Sequence, residues 1–141
     1  MTAIRFNTES VWRDEDFPHS QAVVEPAGRR VHLTGQVAWT PDFELVGADD
    51  PAAQTRYAID NIERVLGGLG GRIDDVVAVT LYYVRDEDLA AIQEARRARF
   101  SRQAGPAATA IKVAALVDPG LLVELTVMAV IPDDRFVEPV A

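Results

Sequence analysis

The chain contains no cysteine and only two histidines, His19 and His32, among 141 residues. Without thiols there can be no disulfide, no thiolate metal site and no cysteine nucleophile, and two histidines are too few for a histidine-rich metal site. Positive charge is short as well: 14 Lys and Arg stand against 22 Asp and Glu, a formal net charge of -8. Such a surface disfavours non-specific contact with nucleic acid or an anionic membrane. Long apolar runs are missing too. The longest are broken by Thr80, Lys112, Glu124 or turn residues, and no basic-then-apolar leader opens the chain, so neither a bilayer span nor a secretory signal is expected. The expected location is the cytoplasm. What remains, 48% hydrophobic and 26% charged residues, suits one compact domain across 1–141, with a core of about 17–131 and an acidic, proline-containing tail at 132–141.

Periodicity supplies the elements. Ile4-Arg5-Phe6 can form a short edge strand, and His19 to Val24 reads as strand up to the turn at Pro26-Ala27-Gly28. Val31, Leu33, Gly35, Val37 and Trp39 then alternate with His32, Thr34 and Gln36, the period of a half-buried strand. The two segments suit an antiparallel hairpin. Gly35 inside the second marks either a bulge or the close approach of a ligand. Asp50-Pro51 supplies a capping carboxylate and a proline at the first helical position. Ala58, Ile59, Ile62, Val65, Leu66 and Leu69 follow as one apolar stripe, and Gly67-Gly68 and Gly70-Gly71 end it. Val76 to Val84 is apolar on both faces, as a central strand would be. Asp86 caps a second helix that buries Leu89, Ile92, Ala95 and Phe100. Arg96, Arg97, Arg99 and Arg102 read as its solvated cationic end, the sign that the helix dipole favours.

From Gly105 to Ile131 two apolar strands are joined by a turn at Asp118-Pro119-Gly120. Glu124 lies inside the second, flanked by Leu122, Val123 and Leu125; a carboxylate in such company must be paired, hydrogen-bonded or used. The order β-β-α-β-α-β-β predicts an α+β layer, two helices on one face of a mainly antiparallel sheet. The other sheet face is apolar and bare, and the simplest cover is another copy of the chain.

These segments together resemble the RidA family, also called YjgF or endoribonuclease L-PSP, from about Phe17 to Ile131. The resemblance rests on His19-Ser20-Gln21-Ala22, Leu33-Thr34-Gly35-Gln36, Gln54, Ile59-Asp60-Asn61-Ile62, Asp75-Val76-Val77, Thr80-Leu81-Tyr82, Pro106-Ala107 and Val123-Glu124, in that order and at that spacing. It implies a chorismate-mutase-like fold and a homotrimer with its active clefts between neighbouring subunits. It also implies cofactor-free hydrolysis of reactive enamines and imines to 2-oxo acids and ammonia. Carried over residue by residue, Glu124 matches the glutamate that holds the attacking water, Gly35 a glycine lining the cleft, and Ala110 a position lending its amide to a substrate carboxylate. His19 falls where an aromatic residue often stands, and Gln93 where the family has an asparagine. The family's carboxylate-gripping arginine follows Pro-Ala; here that position is Ala108. Lys112 is the next cation on the same side of the strand, roughly 13 Å further along at ~3.3 Å per residue.

Two readings follow. In the first the chain is an enamine/imine deaminase-type hydrolase with an altered substrate, using Glu124 and His19 as catalytic residues and Gly35, Gln93, Ala108 and Ala110 around a small organic acid or imine. In the second it keeps the cleft as a non-catalytic metabolite-binding or regulatory protein, which Ala108 favours. Ribonuclease activity, suggested only by the family's older name, is opposed by the acidic charge and the lack of a basic-aromatic track.

Overall fold

A computed structural model describes residues 3–140. β1 (Ile4–Phe6) and β2 (Ala22–Val24) form a separate antiparallel ribbon. β3 (Arg29–His32), β4 (Val76–Tyr83), β5 (Ala107–Lys112) and β6 (Val123–Ile131) form the main sheet in the order β3-β6-β4-β5. Its β3–β6 and β6–β4 pairs are antiparallel, and β4–β5 is parallel. Helices α1 (Pro51–Gly67) and α2 (Leu89–Arg97) complete the α+β architecture.

α1 forms where its signals are strongest. The Asp50 carboxylate accepts the Ala53 N–H at 3.0 Å, and Pro51 opens the first turn. Ala58, Ile59, Ile62 and Leu66 are fully buried in one stripe, whereas Val65 is 43% exposed and lies off it. They pack on the alternating side chains of the two central strands, Val79 and Leu81 from β4 and Val123, Leu125 and Val127 from β6. Each such aliphatic side chain contributes roughly 1.5–3 kcal/mol by leaving water. Buried Gln54 fixes the loops at the end of this core. Its amide donates to the carbonyls of Gly47 (3.1 Å) and Gly120 (3.0 Å), and its Oε1 accepts the Leu122 N–H at 2.8 Å.

Four expectations need correction. β2 pairs with β1, not with β3: nine-residue β6 offers β3 a long edge beside buried Ala129 and Ile131, while β2 is three residues long with Ala22 and Val24 exposed. β5 and β6 form no hairpin, because β4 lies between them and pairs with both; α2 supplies the crossover that parallel pairing requires. The open sheet face is mixed rather than apolar, since the half-buried residues of β4 and β6 there are Ala78, Thr80, Tyr82, Glu124, Thr126 and Met128. The arginine cluster is not uniformly solvated either, as Arg96 is 3% exposed. The C-terminal segment is docked: Arg135 binds the Gly70 carbonyl and Asp75, and the Val137 N–H donates to the Leu69 carbonyl at 2.9 Å.

Candidate functional site

His19 sits in the loop before β2, and backbone contacts hold it against the start of β5. The Ser20 N–H donates to the Pro106 carbonyl at 3.0 Å, and the Ser20 hydroxyl to the Gly105 carbonyl at 2.6 Å. Gly105 must be a glycine for this, since a Cβ there would stand 2.7 Å from the His19 nitrogen. The His19 ring stacks on Trp12 at 6.1 Å and tilts against Phe17 at 6.4 Å. Its Nε2 lies 3.2 Å from the Asp14 carbonyl oxygen, a contact that orients the ring and favours a proton on Nε2.

Ala108 and Ala110 pair with Val79 and Leu81 of β4, so they share the helix-side face of the sheet. There they meet Gln93 and Arg96 of α2. Together with His19, Trp12, Asp14, Phe17 and Thr109 they line a cavity of about 240 Å³. A second hollow of about 350 Å³ shares Trp12, His19, Ala108 and Thr109 and extends to Ala78 and Thr80. Thr80 belongs to the opposite sheet face, so the space turns around the β5 edge. Thus His19, Gln93, Ala108 and Ala110, the positions that the resemblance implies, line one cavity.

Glu124 and Gly35 form a different place. Glu124 pairs with Tyr82 and lies between buried Val123 and Leu125, so it projects from the open face of the sheet. Gly35 lies directly against it; a Cβ at position 35 would collide with Glu124 Oε2 and stand 2.9 Å from its Cδ. A bulge is the explanation of this glycine that the strand register supports. From His32 opposite Met128 to Gln36 opposite Leu125, the first chain advances four residues and β6 only three, which is a bulge. The close neighbour, however, is the Glu124 side chain. Among the described residues Glu124 has neither a hydrogen-bond nor an ion-pair partner. Within one chain it lies on the face opposite to Ala108 and Ala110.

Lys112 does not serve the cavity, because its Nζ pairs with Asp86 at 2.9 Å on the surface. The residue that sequence reasoning misses is Arg96. Its Nε donates to Gln93 Oε1 at 3.1 Å and its guanidinium lies 4.5 Å above the Phe17 ring. Its Nη1 is buried with no hydrogen-bond partner among the described residues, and burial lowers its pKa to about 10. Its spacing from Leu89 (seven residues) and Ile92 (four) puts it on the apolar stripe of α2, the one signal that could have found it.

The sequence matches the family described as "Endoribonuclease L-PSP" over residues 15–131. The chain belongs to this family, the RidA/YjgF proteins. A RutC family protein of Pyrococcus horikoshii is 30% identical over 112 residues, 79% of this chain and 86% of the relative. The crystal structure of YyfB from Yersinia pestis, a Rid family protein of unknown function, is 35% identical with a TM-score of 0.83, covering 93% of this chain and all of that one. RidA from the Antarctic bacterium Psychrobacter is 30% identical with a TM-score of 0.67, over 84% of this chain and 97% of its own. This RidA/YjgF chain therefore has the chorismate-mutase-like fold of its relatives. No helix among its described residues is long and apolar enough to cross a membrane.

Proposed function

We propose that the protein is a cofactor-free hydrolase of a small reactive imine, enamine or related compound, acting in clefts between three copies of itself. The observation that carries this reading is the Glu124 carboxylate, without a partner among the described residues, half-buried on the bare face of the sheet and pressed against Gly35. Desolvating such a group without a partner is unfavourable, and a second copy set on this face brings it opposite another chain's His19 cavity. There Glu124 holds and deprotonates a water whose oxygen adds to the imine carbon. The nitrogen takes up protons, relayed by His19; the C–N bond breaks, ammonia leaves and a carbonyl remains. Gly35, Ala110 and Gln93 line the approach.

Ala108 supports a second reading, a non-catalytic metabolite-binding protein, since the family's arginine is missing there. Turnover of freshly generated 2-aminoacrylate, compared between wild type and Glu124→Ala, separates the two. The hydrolase reading expects a wild-type rate well above background that collapses in the variant. Equal background rates overturn it. Sedimentation should show a trimer, and a monomer would remove the cleft altogether.

A further inference from the structure

Arg96 is costly as a purely structural side chain. It is 3% exposed, and its only hydrogen-bond partner among the described residues is the neutral oxygen of Gln93, at 3.1 Å. The neighbouring arginines are satisfied differently. Arg99 binds Asp60 and Glu63, each at 2.8 Å, and Arg97 reaches Glu94 at 3.4 Å. A buried guanidinium is normally matched by a carboxylate or phosphate, because its fork of N–H donors fits two oxygens at once. Among the described residues Arg96 has no such anion, only the Phe17 ring at 4.5 Å and a buried Nη1 left without an acceptor. It also lines the same cavity of about 240 Å³ as His19, Ala108 and Thr109. Ala108 leaves the facing wall of that cavity small.

We propose that Arg96 is the anion-binding residue of this cavity, receiving the carboxylate of a small organic acid between α2 and the β5 edge. The inference rests on the small-molecule cleft proposed above but requires no turnover. The positive charge that position 108 lacks arrives from the neighbouring helix instead. Gln93 holds the guanidinium by its Nε, which leaves the Nη groups for the ligand. The Phe17 face screens the guanidinium from water, so a carboxylate meets it in a medium of low dielectric constant, where a charge-assisted pair is strong. Asp14 and Thr109 also line the cavity, and among the described residues Arg96 is its single arginine or lysine. Specificity follows: monocarboxylates of modest size bind, and their uncharged amides do not.

The probes are pyruvate and benzoate, compared with pyruvamide and benzamide by isothermal titration calorimetry on the full-length protein. Wild type should bind at least one acid and neither amide. Arg96→Met should weaken the acid tenfold to a hundredfold. Arg96→Lys, which keeps the charge but loses the fork, should lie between. Arg97→Met, which alters an exposed neighbour, should bind as wild type does. Ala108→Arg added to Arg96→Met should restore binding, because the cation then enters from the opposite wall; this rescue also shows that the single variant is folded. The proposal is overturned if wild type binds neither acid, if acids and amides bind alike, or if Arg96→Met keeps wild-type affinity. None of these results bears on whether 2-aminoacrylate turnover depends on Glu124, so the hydrolase reading stands or falls separately.

Discussion

Replacing Gly35 by alanine tests the Glu124 site without any knowledge of the substrate. The new Cβ would stand 2.9 Å from Glu124 Cδ and closer still to Oε2. Ordinary contact needs about 3.4 Å or more between such atoms, so the carboxylate must swing away by about 1 Å. The obstacle is the far end of a flexible side chain, which keeps the overpacking penalty near the bottom of the usual ~1–3 kcal/mol. Gly35 also has no left-handed backbone requirement, so alanine recovers about 0.4–1 kcal/mol through the unfolded state. The two effects nearly offset, and the melting temperature should move by less than about 3 °C. On the hydrolase reading proposed above, catalysis should suffer far more, because a reacting group displaced by ~1 Å can cost about a hundredfold. A double-mutant cycle on thermal stability makes the contact measurable. In a Glu124→Ala background the same Gly35→Ala change should become neutral or stabilising, with a coupling of about 1 kcal/mol. If the two substitutions are additive in stability, Gly35 does not abut the carboxylate and the geometry is wrong.

Other substitutions probe the frame and the cavity. Gln54→Leu strands the carbonyls of Gly47 and Gly120 and the Leu122 N–H; a loss of about 3 kcal/mol, roughly 10 °C in a thermal melt, is expected. Asp75→Ala removes the carboxylate that holds Arg135 and should destabilise by about 2–4 kcal/mol. Hydrogen exchange should then quicken at the Val137 amide, which bonds Leu69. Arg96→Met removes a cation whose burial lowers its pKa to about 10, a penalty of about 3 kcal/mol in the free protein. The lost Phe17 and Gln93 contacts, about 1–2 and about 1 kcal/mol, largely offset that relief, so the melting temperature should stay within about 3 °C. A fall of about 10 °C would instead mark a paired structural ion. The pH dependence follows in sign. As pH rises through about 10, Arg96 neutralises in the folded chain while the unfolded chain still holds the proton. Its destabilising effect is therefore relieved between that pH and its ordinary range. Carboxylate affinity falls over the same interval, about twofold at the midpoint.

Local signals proved legible, and long-range ones did not. Asp50-Pro51 and the stripe from Ala58 to Leu66 define α1 because cap, proline and period agree within one segment. Val76–Tyr83 and Val123–Ile131 are strands as read, and they are the two central ones. Their partners were misjudged because pairing is a contest between segments far apart in sequence: β3 prefers β6 over β2, and β5 lies parallel to β4 instead of turning back on β6. Around the candidate site, the residues alone could not bring His19 to Ala108. That juxtaposition depends on Ser20 bonding to Gly105 and Pro106, 85 residues away for the hydroxyl contact, and only the family resemblance hinted at it. Arg96 escaped notice because three solvated or ion-paired arginines surround it in sequence. Position on the helix, not composition, separates it from them.

Glu124 stands on the open face of the sheet and Arg96 on α2 behind it, so in the trimer proposed above each cleft would be a joint possession of two chains. Subunits disabled in different halves should then complement each other. In trimers reassembled from equal amounts of Glu124→Ala and Arg96→Met chains, about one cleft in four inherits an intact residue from each neighbour. Two inactive preparations would thus yield a working one on mixing.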